Sequence, residues 1–167
     1  VLFSVGLIPE NELTERAGIT LCDRTRGAYV NQYRETEIPG IFAAGNVLHV
    51  HDLADFAAEE AEEAGRAAAR FLREGGIPGE RTVAVNAGEG IGYVLPQRLL
   101  LPGGDVKLYF RVGQVYKNAK IIAKFNGEEI ISRKRPRLAP GEMENVTVKL
   151  EDIAKLSSNE ITVKLEV

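Results

Sequence analysis

The sequence predicts an α+β chain in two parts: a mixed α/β segment over residues 1–79, then a small antiparallel β-sandwich-like segment over residues 80–167. Three observations predict it. Charge changes sign along the chain: residues 1–79 hold seven arginines, no lysine and thirteen acids, a net -6, whereas residues 80–167 hold six arginines, eight lysines and eleven acids, a net +3. The join, Gly75-Gly76-Ile77-Pro78-Gly79, is a run of helix-stopping and turn residues of the kind found at domain boundaries. Beyond it the apolar pattern switches to a period of two, the mark of half-buried strands.

In the first part, VLFSVGL (residues 1–7) is a short continuous apolar run, suited to a strand buried on both faces. Residues 19–22 and 28–30 predict a small hairpin around residues 23–27. After Ile38-Pro39-Gly40, residues 41–44 read as another buried strand that ends at Gly45. A long helix is expected over residues 53–74. Asp52 is its expected N-cap, Asp55 stands three residues on, and Gly75 is the expected stop. Acids fill its first half (Asp55, Glu59, Glu60, Glu62, Glu63) and Arg66, Arg70 and Arg73 its last turns, which suits the helix dipole. Ala57, Ala61, Ala64 and Ala68 form a small-residue stripe for close packing, so the glutamates are expected on the solvated side.

In the second part, Val106, Leu108, Phe110 and Val112 alternate with Lys107, Tyr109 and Arg111. The same alternation recurs at Ile121-Ala123-Phe125, Val146-Val148-Leu150 and Ile161-Val163-Leu165-Val167. Asn126-Gly127 between two such runs is a strong hairpin signal. Six to eight short strands with no helical pattern predict the sandwich.

Composition narrows the function classes. With 44% hydrophobic and 27% charged residues the chain is of globular type, so disordered and low-complexity classes drop out. No apolar run approaches the roughly 18 residues of a membrane span, and no signal segment opens the chain. A single cysteine, Cys22, excludes a disulfide framework or a CxxC redox pair, and is expected as a buried inert thiol. A net charge of -3 gives no reason to expect nucleic acid as a partner. A cytoplasmic location is expected. The chain opens on Val1 inside an apolar run, which reads as a piece of a longer protein.

The informative stretch is residues 36–69: a strand, a glycine turn, then a long helix preceded by a polar cluster. Such an arrangement lets backbone reach a flat ligand at the carboxyl end of a sheet strand, and it is also compatible with a plain structural turn. The only two histidines, His49 and His51, form HVHD with Asp52. That cluster supplies at most three metal ligands, and no metal site is assigned to it. Arg133-Lys134-Arg135-Pro136-Arg137 is the one basic run, read as a loop or strand edge blocked by charge, with an acidic partner subunit as the alternative.

IPGIFAAGNV (residues 38–47) resembles the second flavin-contacting motif of the two-dinucleotide-domain flavoprotein oxidoreductases, the thioredoxin reductase and pyridine nucleotide–disulfide reductase superfamily. There a run of the form PGIFAAGDV precedes a helix, and its aspartate holds a ribityl hydroxyl of FAD. SVGLIPENEL (residues 4–13) is similar to the run by which such chains return from the NAD(P)H domain to the FAD domain. The two motifs stand in the expected order and cover roughly residues 1–74. More narrowly, GNVLHVHDLADF, GYVLPQ (92–97), YFRV (109–112) and PGEM (140–143) resemble flavoprotein subunits paired with glycerol-3-phosphate dehydrogenase-like proteins.

The resemblance implies that residues 1–79 are the C-terminal portion of an FAD-binding α/β domain and residues 80–167 a β-rich C-terminal domain. It implies a parent flavoprotein passing electrons between FAD and NAD, NADP or a dehydrogenase partner subunit. Gly45 and Asn46 would contact flavin, with Ala44 and Val47 contributing backbone and His49, His51 and Asp52 near the ring. No catalytic base is named, since the chemistry would be the cofactor's. A homo-oligomer is the other assembly implied. Three departures count against the match. Asn46 replaces the usual aspartate, no GxGxxG fingerprint occurs in the 167 residues, and no CxxC is present. The chain by itself is therefore expected to be inactive and not to retain FAD, and a non-catalytic subunit-assembly module is the alternative.

Overall fold

A computed structural model of the chain describes Leu2, residues 6–155 and residues 158–167. It divides into two compact units, Val1–Ile77 and Pro78–Val167.

The first unit is mostly loop, held by buried polar groups. Residues 1 and 3–5 lie outside the described residues, so the strand expected there is represented only by Leu2, Gly6 and Leu7, which are exposed and unpaired in any sheet among the described residues. A five-residue helix, α1 (Glu12–Arg16), follows. The expected hairpin is reduced to one antiparallel bridge, Leu21↔Ala28, closed by Cys22 N–H donating to the Gly27 carbonyl at 2.8 Å. Cys22 is buried beside it, with a free thiol. Residues 41–44 are likewise not a buried strand. They make a single bridge, Glu35↔Phe42, with Ile41 exposed and the next three half-buried. Two isolated bridges cannot spread into a sheet without neighbouring strands to pair with.

One turn of 3-10 helix, Gly45–Val47, leads to the long helix α2 (Ala54–Glu74). Its N-cap is Leu53, extended and without a side-chain cap, so the expected cap at Asp52 is one residue early. Gly75 ends it as expected, left-handed at φ 74°, its N–H donating to the Phe71 carbonyl at 2.8 Å. The buried positions of α2 are Glu60, Ala64 and Ala67, so the packed stripe is rotated from the expected one and takes in a glutamate. Phe71 meets Phe42 edge-on, with ring centroids 6.1 Å apart.

The described residues of the second unit form eight strands: β1 (Arg81–Ala87), β2 (Ile91–Leu95), β3 (Arg98–Leu101), β4 (Val106–Val112), β5 (Tyr116–Phe125), β6 (Glu128–Leu138), β7 (Glu144–Val148) and β8 (Glu160–Glu166). One five-residue helix, α3 (Leu150–Ala154), lies between the last two, so Leu150 is helical rather than the end of a strand. The strands form a five-stranded sheet, β3-β1-β8-β5-β6, and a three-stranded sheet, β2-β4-β7. Among the described residues all pairings between these strands are antiparallel except β1 with β8, which is parallel and corrects the all-antiparallel expectation. Both sheets contribute to one core around Phe110, Phe125, Ile121, Leu108, Val146 and Ile161. Asn126 and Gly127 both adopt positive φ, 51° and 81°, as the tight β5–β6 turn requires. Tyr109, on the face expected to be wet, is buried. The basic run lies on β6, an edge strand where Pro136 forfeits no ladder bond to a further neighbour. Arg135 pairs with Glu144 at 3.0 Å and Arg137 with Glu142 at 3.2 Å. Among the described residues no helix is long and apolar enough to cross a membrane.

Candidate functional site

Glu60, on the buried face of α2, is the centre of the first unit's polar chemistry. Its Oε2 accepts the Gly45 N–H at 2.8 Å and lies 3.0 Å from His51 Nε2. Its Oε1 is 3.0 Å from Arg34 Nε and 3.6 Å from His49 Nε2. All four side chains are withdrawn from solvent, with exposures of 7% for Arg34, 3% for Glu60, 1% for His49 and 3% for His51. The two imidazoles meet edge to face, with centroids 4.5 Å apart.

Each member is delivered by local structure. Arg34 stands in a tight loop built on Asn31, whose Oδ1 accepts the N–H groups of Tyr33 at 2.9 Å and Glu35 at 3.2 Å. The loop puts Arg34 at φ 64° and turns its guanidinium inward. His49 and His51 follow the 3-10 turn in irregular chain. The backbone N–H of His51 donates to Asn46 Oδ1 at 3.0 Å, so the asparagine side chain closes the loop that carries the histidines.

Burial alone would push the Glu60 carboxyl up, but the imidazoles of His49 and His51 and the guanidinium of Arg34 outweigh it and hold the group well below the usual carboxylate range. Burial lowers His49 below 6.5, opposed by Glu60. The cluster is thus a buried carboxylate–guanidinium pair flanked by imidazoles. Donor atoms of His49, His51 and Glu60 lie within 4.8 Å of one another, the residue types of a zinc site. Against that use, Glu60 is already engaged by Arg34 and by the Gly45 N–H, and the guanidinium repels a second cation on the same carboxylate.

The predicted site residues therefore fall into two groups. Gly45 and Asn46 begin the 3-10 turn, with Asn46 exposed, Ala44 and Val47 half-buried, and Asp52 exposed farther along the chain. His49 and His51 are buried behind them. Glu60 and Arg34 were not among the expected site residues. A single glutamate in an acidic helix face and one arginine in a loop carry no sequence signature; the signal lay in helical phase, since Glu60 shares a face with Ala64 and Ala67.

Asn11 joins the two motif regions. Its buried Nδ2 donates to the Val47 carbonyl at 2.8 Å and to the Arg26 carbonyl at 2.7 Å, so Asn11, within the first motif region, is tied to the turn over residues 45–47. Residues 1–68 match the family model of the pyridine nucleotide-disulphide oxidoreductases. The matched stretch spans both motif regions and the whole Glu60 cluster. No curated protein and no solved structure matches the chain.

Proposed function

We propose that residues 1–79 are the C-terminal portion of an FAD-binding domain, and that the protein carrying them is a flavoprotein oxidoreductase. It would pass electrons between FAD and a nicotinamide nucleotide or a partner dehydrogenase subunit. The observation that carries this reading is the Asn11 tether between the two motif regions, both inside the stretch matched by the family.

The turn suits a flat polar ligand. Gly45 has φ +79°, and an added Cβ would meet nothing within 4 Å, so the side of its backbone where a side chain would stand is open. Asn46 is exposed, and with Oδ1 occupied by the His51 N–H its Nδ2 is the end of the amide left to serve a ligand. An amide donor can hold a ribityl hydroxyl through the oxygen's lone pair, the complement of what an aspartate would do. Gly45 and Asn46 would hold FAD, with Ala44 and Val47 providing backbone and Asp52 at the margin, while His49 and His51 support the turn from within. FAD supplies the hydride and electron chemistry; these residues bind and orient it.

A second reading, an assembly module, is favoured by β6. Arg133 and Lys134 stand exposed on that edge strand, a surface suited to an acidic partner or a second copy. Titration of the chain and of the full gene product with FAD, followed by flavin fluorescence and visible absorption, separates the readings. The oxidoreductase reading expects FAD on the full product, and flavin binding by neither form overturns it.

A further inference from the structure

Resting on the FAD reading above, we propose that Glu60 is a positioning residue for the cofactor turn. Its carboxylate sets the turn from behind, directly through the Gly45 N–H and indirectly through His51 and Asn46.

The geometry gives Glu60 two lines of control. The first is the 2.8 Å bond from Gly45 N–H, which spans 15 residues and pins the start of the 3-10 turn to the face of α2. A bond from a backbone amide to a carboxylate is stronger than one to a neutral acceptor. The second runs through His51. Its Nε2 lies 3.0 Å from Glu60 Oε2, and its backbone N–H bonds Asn46 Oδ1 at 3.0 Å. Fixing the imidazole fixes the loop that occupies Asn46 Oδ1, which leaves Nδ2 as the donor the amide can turn to a ligand. A purely structural role would not need this chemistry. An apolar pair of similar volume in place of a buried carboxylate and guanidinium is often neutral or stabilising. What an apolar side chain cannot do is accept the Gly45 N–H.

Two double variants of the full gene product separate positioning from packing. Both remove the charges of the pair, but Glu60→Gln with Arg34→Met keeps a carbonyl oxygen for Gly45, whereas Glu60→Leu with Arg34→Met does not. The second is also expected to melt lower, since its Gly45 N–H is left without an acceptor, so FAD affinity is compared at a temperature where both variants are folded. FAD affinity should stay within about threefold of wild type in the first and fall about tenfold in the second, as for a lost buried hydrogen bond. Equal FAD affinity in the two variants overturns the assignment alone, while wild-type protein without FAD overturns the underlying reading and the assignment with it. If either variant fails to fold, hydrogen exchange at the Gly45 amide of the wild-type protein decides. Protection supports the assignment, and exchange at the rate of an open loop overturns it.

Discussion

Replacing Arg34 by methionine should destabilise the first unit more than most single changes to it. The guanidinium is 7% exposed and sits 3.0 Å from a carboxylate that is 3% exposed. Methionine fills much of the volume and leaves Glu60 as a buried carboxylate without its guanidinium. Removing one member of a buried pair costs about 3–5 kcal/mol, against about 0–1 kcal/mol for an exposed pair such as Arg137–Glu142. Cys22 makes the effect measurable in one unit of a two-unit chain, because it is the only cysteine and is buried within the first unit. In the regime where opening is faster than labelling, thiol modification reports the opening free energy. A loss of about 3–5 kcal/mol then corresponds to labelling roughly 10²- to 10⁴-fold faster. The double variant Arg34→Met with Glu60→Gln should recover most of this, since neither charge remains to be compensated. Labelling of Arg34→Met within about threefold of wild type, or a double variant as labile as the single ones added together, would refute the buried-pair reasoning.

Acid should weaken the first unit in two stages. His49 has its folded pKa depressed below 6.5, so the unfolded chain takes up the proton first and stability is full above that pH and falls below it; Glu60, also depressed, adds a second loss below its usual 4.5. Thermal melts followed by circular dichroism should show the first slope in wild type and not in His49→Gln. In the second unit, Phe110→Ala removes a fully buried ring from the core and should cost about 3–5 kcal/mol, read as a lower urea midpoint. After equilibration with zinc, elemental analysis of the wild-type chain should find well under one ion per chain; a full equivalent lost on His49→Gln would show that the metal displaces Arg34 from the carboxylate.

The β half was legible because each signal was local. The alternation of Val106, Leu108, Phe110 and Val112 and the Asn126-Gly127 turn fix strand and hairpin within a few residues. Two features escaped for the opposite reason. The parallel pairing of Ala84 with Glu160 and Val85 with Ile161 joins segments 76 residues apart, and no periodicity records which strands become neighbours. Apolar run length also misled in the first unit, where residues 41–44 look like a strand and make only one bridge.

The candidate site divides along the same line. Gly45 and Asn46 could be found because a left-handed turn and an exposed amide are written in residue type. Glu60 and Arg34 could not, because both types are common on surfaces and become a site only when the turn closes over them. The alanine stripe was the misleading cue: counting Ala57, Ala61, Ala64 and Ala68 as the packed face rotated Glu60 outward, whereas Glu60, Ala64 and Ala67 are the residues that pack. A helix crowded with alanine offers several faces small enough to bury, so small size alone does not choose between them. Here the choice tracks chemistry: the buried face is the one whose glutamate can meet the guanidinium of Arg34 and the amide of Gly45 at once. The buried pair that costs the fold desolvation therefore also sets the helical phase, and with it the turn on which the FAD reading depends.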